Sequence, residues 1–159
     1  MSTEAYIETP LGIATISGDK DGITSVSVTK ETTIIPSTMI PPYLQDTVVQ
    51  LREYFEGDRT HFDLTLNPSG TDFQKKVWDE LLKIPFGKTV SYLDIAKRLG
   101  DPKSIRAAAS ANGKNPLWII IPCHRVIGSD GSLTGYAGGL WRKKWLLAHE
   151  NPVKQQSLF

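Results

Sequence analysis

The chain has 159 residues, 40% of them hydrophobic, with a formal net charge of +1 and one cysteine. That length suits one compact unit, or two small ones sharing an interface, and a lone cysteine excludes an intramolecular disulfide. The opening residues show no basic region followed by an apolar stretch, and no apolar run approaches the roughly 20 residues that span a bilayer. A reduced, cytoplasmic setting is the expectation.

Charge is unevenly spread. Residues 1–70 carry 4 Lys+Arg and 10 Asp+Glu, whereas residues 71–150 carry 13 and 7. An acidic front and a basic back predict that the second half faces a polyanion.

Ile13 and Ile16, then Val26 and Val28, alternate with small polar residues around the turn signal "SGDKDGI". This pattern predicts an antiparallel hairpin. Pro36, Pro41 and Pro42 predict a loop over residues 31–42. Leu44, Val48, Leu51 and Phe55 recur at helical spacing, and Gly57 stops the helix. "HFDLTL" alternates Phe62, Leu64 and Leu66 as a third strand. The expectation is an α/β unit over residues 1–70.

The second half reads as mostly helical, over residues 71–150, with residues 151–159 as a tail. Thr71 caps a helix whose buried face is Phe73, Val77, Trp78 and Leu81. Ser91 and Asp94 form a capping-box pattern for the next helix, which runs through Tyr92, Ile95, Ala96 and Leu99 and stops at Gly100 and Pro102. A third helix, "KSIRAAASA", follows at once and ends at Asn112-Gly113. Two short helices joined by a tight Gly-containing turn predict a helix-turn-helix. "LWIII" reads as a short buried strand or extended segment entering Cys123. A last helix, "GLWRKKWLLAHE", is expected to bury Trp141, Trp145 and Ala148.

The second helix of a helix-turn-helix usually meets DNA. Here it offers Arg106, Ser104 and Ser110, with Ala107, Ala108 and Ala109 around the arginine. Such a face reads few base edges but allows close approach to a backbone or a minor groove, and a lone arginine can enter a base stack. DNA binding with little sequence preference follows.

"IPCHRV" places the single cysteine directly before His124. A thiol becomes a useful nucleophile on losing its proton. Along an extended strand successive side chains point apart, so a direct Cys–His bond needs a bend or a bridging water. The histidine needs a third group to fix its tautomer; spacing alone does not choose among the carboxylates.

"PCHRVIGSDGSLTGYAGG", "RKKWLLAHE" and, upstream, "GKTVSYLDIAKRLGDPKSIRAAASANGKNP" closely resemble the O6-alkylguanine-DNA alkyltransferases, or methylated-DNA–protein-cysteine methyltransferases. The resemblance covers roughly residues 71–150. It implies an α/β protein with a ribonuclease H-like N-terminal unit on an antiparallel sheet. The C-terminal unit would be winged and helix-turn-helix-like and would carry the active site. It further implies DNA repair by base flipping and transfer of an alkyl group from O6-alkylguanine, with O4-alkylthymine as a further candidate substrate.

Carried over by residue, Cys123 accepts the alkyl group. His124 acts as base through a bridging water, Glu150 orients it, and Asn115 braces the turn. Tyr92 lines the pocket near the DNA phosphate and protonates the leaving guanine, and Arg106 fills the vacated stack. Ser104, Ala107, Ala109 and Arg125 complete the DNA face. Tyr136, Ala137, Trp118, Val126 and Lys143 line the substrate pocket.

Ala137 stands where some relatives carry serine. Trp118 stands where some carry proline, so a narrowed pocket and poor reaction with benzyl-sized groups are expected. The N-terminal region has no cysteine and one histidine, His61, so no zinc is expected, nor any other cofactor. Gln155, Leu158 and Phe159 resemble the short peptide by which DNA-maintenance proteins dock on a replication sliding clamp. The chain is expected to act as a monomer. The rival readings are an alkyltransferase-like lesion binder without enzymatic activity, a cysteine hydrolase and a transcription regulator. Cys123 itself, the absence of a hydrolase motif and the alanine-rich helix weigh against them in turn.

Overall fold

The computed structural model describes residues 3–29, 31, 33–133, 136 and 138–151. Ala137 and the clamp-like residues Gln155, Leu158 and Phe159 lie outside them. The chain divides into two units. The first comprises residues 1–69 together with 116–118, and the second residues 70–115 together with 119–159.

The first unit is built on three antiparallel strands in the order β1 (Thr3–Thr9), β2 (Gly12–Asp19) and β3 (Gly22–Thr29). One face is buried, and its cross-strand pairs set a small residue against a large one, Ala5 on Ile16 and Ile7 on Ala14, with Val26 next to Ile16 across β3. The sequence pattern anticipated β2 and β3. It passed over β1, whose apolar positions are only Ala5 and Ile7 among polar neighbours. The β2–β3 turn is held by the Asp21 N–H donating to Asp19 Oδ1 at 2.8 Å, and Gly22 takes a φ of 137° that a side chain would resist.

Helix α1 (Gln45–Glu56) buries Val48, Leu51 and Tyr54, and Gly57 ends it in a left-handed conformation. "HFDLTL" does not form a strand. It makes one isolated parallel bridge, Leu66 to Ile23, with the Ile23 N–H donating to the Thr65 carbonyl at 2.9 Å. The reason lies further along the chain. Residues 116–118 return to the same edge, where the Val26 N–H donates to the Pro116 carbonyl and Trp118 N–H to the Val26 carbonyl. Two short pieces thus share the outer edge of β3 and protect it from further pairing.

The second unit opens with α2 (Asp72–Leu82), capped by a reciprocal Thr71–Gln74 box. Its buried residues are Val77, Trp78 and Leu81, while Phe73 is partly exposed. The Trp78 indole N–H donates to the Ala111 carbonyl at 2.9 Å, which ties α2 to α4 (Ile105–Gly113). Helix α3 (Tyr92–Arg98) is capped by the Ser91–Asp94 box expected from sequence. A single 3₁₀ turn, Pro102–Ser104, then leads into α4 and completes the helix-turn-helix. Two residues of β4 (Val90–Ser91) pair in parallel with β5 (Val126–Ile127). Val126 is fully buried there.

Helix α5 (Leu140–Glu150) is rotated from its expected orientation. Trp141 is 50% exposed, Trp145 is half-buried and Ala148 faces solvent, whereas Arg142, Lys143, Leu146 and Glu150 are buried. Hydrophobic periodicity selected the wrong stripe because this helix turns charged side chains inward. The displaced aromatics find cationic or ring partners outside: the Arg142 guanidinium lies 4.4 Å from the Trp141 ring centre, and Trp145 stacks on His149 at 4.9 Å. Among the described residues, no helix is long and apolar enough to cross a membrane.

Candidate active site

The site belongs to the second unit and is organised around a turn, not a strand. "LWIII" forms a bridge at Leu117 and then turns, with Ile119 at a φ of 71°. Pro122 follows with φ −81° and ψ 65°, an inverse γ-turn that lets the Cys123 N–H donate to the Ile121 carbonyl at 2.8 Å. Asn115 Nδ2 donates to the same carbonyl at 2.7 Å. Residues Cys123–Arg125 then make one 3₁₀ turn. The extended geometry expected from sequence is therefore absent, since proline favours this turn and removes a ladder donor.

Cys123 is 7% exposed and His124 is fully buried. His124 Nε2 lies 2.7 Å from Glu150 Oε2. Its Nδ1 is buried with no hydrogen-bond partner among the described residues, so no direct Cys–His bond exists. The network assigns the tautomer: Nε2–H donates to the carboxylate, and Nδ1 keeps its lone pair. Burial pushes His124 below its ordinary pKa against the pull of Glu150, so the ring is neutral.

Arg125, expected at the DNA face, points inward. Its Nε donates to Glu150 Oε1 at 2.7 Å, Nη2 to Oε2 at 3.0 Å and Nη1 to the Ile84 carbonyl at 2.6 Å. Its guanidinium also sits 5.8 Å from the Phe86 ring centre. All three guanidinium nitrogens hydrogen-bond within the protein, and the residue is only 6% exposed. The bidentate fork suits a carboxylate better than any lysine could. Burial alone would raise the Glu150 pKa, but hydrogen bonds from His124 and Arg125 outweigh it and hold the carboxyl at about 2. Sequence reasoning missed Arg125 as the carboxylate's partner, and missed the Ile84 and Ile121 carbonyls. The adjacency of His124 and Arg125 was the available signal, since a buried arginine requires an anion.

The thiol itself is pushed up in pKa by burial. Asn115, the Lys143 charge and Tyr136 pull the other way. Lys143 is fully buried, with Nζ 5.8 Å from the Tyr92 ring centre and 5.9 Å from that of Tyr136. Burial lowers its pKa, opposed by Cys123. The structure thus brings Cys123, His124, Glu150, Asn115, Tyr136 and Lys143 into one neighbourhood, with Tyr92 beside the lysine. Trp118 belongs to the first unit, where its ring lies 6.1 Å from that of Phe55.

On α4, Ala108 and Ala111 are buried, while Arg106, Ala107 and Ser110 face solvent and Ala109 is half-buried. Ser104 precedes the helix, with its hydroxyl donating to the Asp101 carbonyl at 2.7 Å. The exposed face is small and carries one arginine, as its sequence predicts.

The fold and the site define a two-unit α/β protein in which a helix-turn-helix unit holds a buried cysteine–histidine–glutamate array. Residues 3–68 match the family model for the 6-O-methylguanine DNA methyltransferase ribonuclease-like domain, and residues 72–152 match that for its DNA binding domain. The chain is 43% identical over 150 residues to a methylated-DNA–protein-cysteine methyltransferase of Methanosarcina acetivorans, covering 92% of this chain and 96% of that one. It is 46% identical over 138 residues to the constitutive methylated-DNA–protein-cysteine methyltransferase of Bacillus subtilis, covering 82% and 84%. The solved structure of Mycobacterium tuberculosis O6-methylguanine methyltransferase aligns over the whole of both chains with a TM-score of 0.83 and 42% identity. That of Mycobacterium tuberculosis OGT in complex with DNA aligns over 97% of this chain and 98% of that one, with a TM-score of 0.82 and 42% identity. This chain belongs to the methylated-DNA–protein-cysteine methyltransferase family.

Proposed function

We propose that this protein repairs DNA directly, by taking the alkyl group of O6-alkylguanine onto Cys123 once per molecule. The observation that carries the reading is the buried array in which Glu150 fixes His124 with a free Nδ1 lone pair beside a cysteine that burial keeps protonated. A protonated thiol needs a base at hand, and a neutral histidine with a fixed tautomer is one. A water between Nδ1 and the thiol relays the proton.

The chemistry is a displacement at the alkyl carbon. The thiolate sulfur forms the S–C bond in line as the C–O6 bond breaks, and the departing guanine takes a proton from Tyr92. The thiol proton ends on the base, so charge and protons balance. The product is a thioether. It has no carbonyl for water to attack, and the chain has no second cysteine to exchange with. One turnover follows.

The target lies inside a duplex, so the nucleotide must be extruded at a cost of a few kcal/mol. Arg106 projects from the alanine face of α4 to occupy the vacated stack and offset part of that cost, while Ala107 and Ala109 permit close approach. The relative solved in complex with DNA supports DNA as the partner. Tyr136 and Val126 of the second unit line the pocket, O4-alkylthymine is a second candidate substrate, and the protein acts as a cytoplasmic monomer. Docking on a sliding clamp through Gln155, Leu158 and Phe159 is a separate proposal, and deletion of residues 155–159 should abolish binding to a purified clamp.

Cys123→Ser tests the main reading. It should leave O6-methylguanine in a duplex oligonucleotide intact, because a serine hydroxyl beside a neutral histidine is a far weaker nucleophile. Clearance by this variant overturns the proposal.

A further inference from the structure

Tyr136 is joined to α5 through two consecutive glycines, Gly138 and Gly139. The helix starts without a side-chain cap, because its N-cap is Gly139, at φ 93° and ψ 143°. Glycine restricts the backbone less than any other residue, and a capping side chain normally fixes a helix entry. Such a joint is a hinge unless another group holds it.

Arg142 holds this one. The residue is 3% exposed, and its Nη1 donates to the Gly138 carbonyl at 2.7 Å. That carbonyl lies ahead of the helix, whose first N–H groups go instead to Gly139, from Arg142 at 3.1 Å and from Lys143 at 3.3 Å. The Gly139 N–H donates to the Tyr136 carbonyl at 2.9 Å. A Cβ placed on Gly138 would lie 3.2 Å from Tyr136 Cε2 and 3.5 Å from Arg142 Cδ, so the phenol ring and the arginine stem pack against the same side of this glycine. The Trp141 ring, half-exposed, lies over the guanidinium at 4.4 Å. An apolar side chain at position 142 would fill the same space without the cost of burying a charge. What the guanidinium adds is a charge-assisted bond to the hinge.

We propose that Arg142 is a positioning residue that sets the size of the alkyl pocket, by clamping the Gly138–Gly139 hinge and with it the Tyr136 wall. The inference rests on the alkyl-transfer reading, in which Tyr136 lines that pocket. Arg142 makes and breaks no bond in the transfer; it acts through Tyr136. With the clamp closed, the ring bounds the space the alkyl group fills and keeps a methyl group in line with the thiol. With the clamp open, the wall swings on two glycines. A methyl group is then held loosely and reacts more slowly, whereas a benzyl group gains the room it lacked. The two substrates respond differently, which a general loss of stability would not produce.

Arg142→Met keeps the bulk of the stem and removes the donor. It is read by single-turnover transfer from the free bases O6-methylguanine and O6-benzylguanine, and by amide hydrogen exchange of the free protein. Methyl transfer at saturating base should slow about tenfold while benzyl transfer holds or rises, since small misplacements of reacting atoms cost up to ~10²-fold. Exchange at the Gly139 amide should speed up about tenfold, while the Leu146 and Leu147 amides of α5 exchange as in wild type. Arg142→Lys keeps a donor for the Gly138 carbonyl and should stay within about threefold of wild type in both readings. Trp141→Leu, at a half-exposed site, should give the same pair of changes at about two- to threefold, and it carries the test if Arg142→Met does not fold. Equal slowing of both transfers, an unchanged preference for methyl, or an unchanged Gly139 exchange rate overturns the proposal. Wild-type protein that takes no methyl group overturns the transfer reading instead, and the Gly139 exchange rates then still decide whether Arg142 holds the hinge.

Discussion

Replacing Glu150 by glutamine keeps the side chain's shape and removes its charge. Two independent routes give the size of the effect. Glu150 is held at about 2 against an ordinary 4.5. A shift of that size, at about 1.4 kcal/mol per unit, corresponds to roughly 3 kcal/mol of stability at neutral pH. Breaking a buried ion pair by deleting one partner typically costs ~3–5 kcal/mol, and here Arg125 would be left buried with its fork at 2.7 and 3.0 Å from a neutral amide. For a chain of this size, 3 kcal/mol lowers Tm by roughly 6–12 °C.

The pH dependence carries a definite sign. A depressed carboxyl stabilises the fold above its ordinary value and ceases to do so as pH falls through the folded one. Wild-type protein should therefore lose this contribution between pH 4.5 and about 2. Glu150→Gln cannot show that loss. His124, which burial pushes down, works against the fold in both forms as pH falls below 6.5. Urea titrations of both proteins, at pH 7 and across the acid range, give the difference directly. A cost under about 1 kcal/mol at pH 7, or a carboxyl-dependent loss equal in the two proteins, would refute the buried-triad reasoning.

Other outcomes follow from the same geometry. Glu150→Gln should also slow alkyl transfer by roughly 10²-fold in single-turnover kinetics, since a positioned general base contributes ~10²–10⁴ and the glutamine only partly replaces the orienting carboxylate. Arg106→Ala should slow repair of duplex lesions by roughly 10–100-fold, by removing the group that offsets extrusion, but should leave reaction with the free base O6-methylguanine unchanged. A clear preference for O6-methylguanine over O6-benzylguanine free base is expected from the enclosure of Cys123, at 7% exposed, and comparable rates would contradict it. The methylated protein should be less stable than the unmodified one by ~1–3 kcal/mol in thermal melts, because an extra carbon enters a site where Cys123 is only 7% exposed.

Local signals in the sequence located most of the helices. The Ser91–Asp94 box, the Thr71 cap and Gly57 each act within a few residues, so the chain declares them without its tertiary context. β1 was not legible because its burial rests on Ala5 and Ile7 alone. "HFDLTL" misled because its alternation is that of a strand, whereas the edge it would pair with is shared with residues 116–118, about 50 positions away. The chemistry-bearing residues were named from the family resemblance. Their arrangement was not readable. Turning Arg142, Lys143 and Glu150 inward on α5 inverts the usual rule that charge faces water: Glu150 is held by His124 and Arg125, and Arg142 donates to the Gly138 carbonyl. Arg125 was misassigned for the same reason: a basic residue in a basic half looks like a phosphate contact until a buried carboxylate is found against it.

The central claim is that one thiol accepts one carbon and keeps it. The most direct measurement is the intact mass of the protein after incubation with excess duplex DNA containing O6-methylguanine, followed by peptide mapping. The account predicts a gain of a single methyl group, confined to Cys123, with one lesion cleared per protein molecule. Lesions cleared in excess of protein, or clearance with Cys123 unmodified, would contradict it.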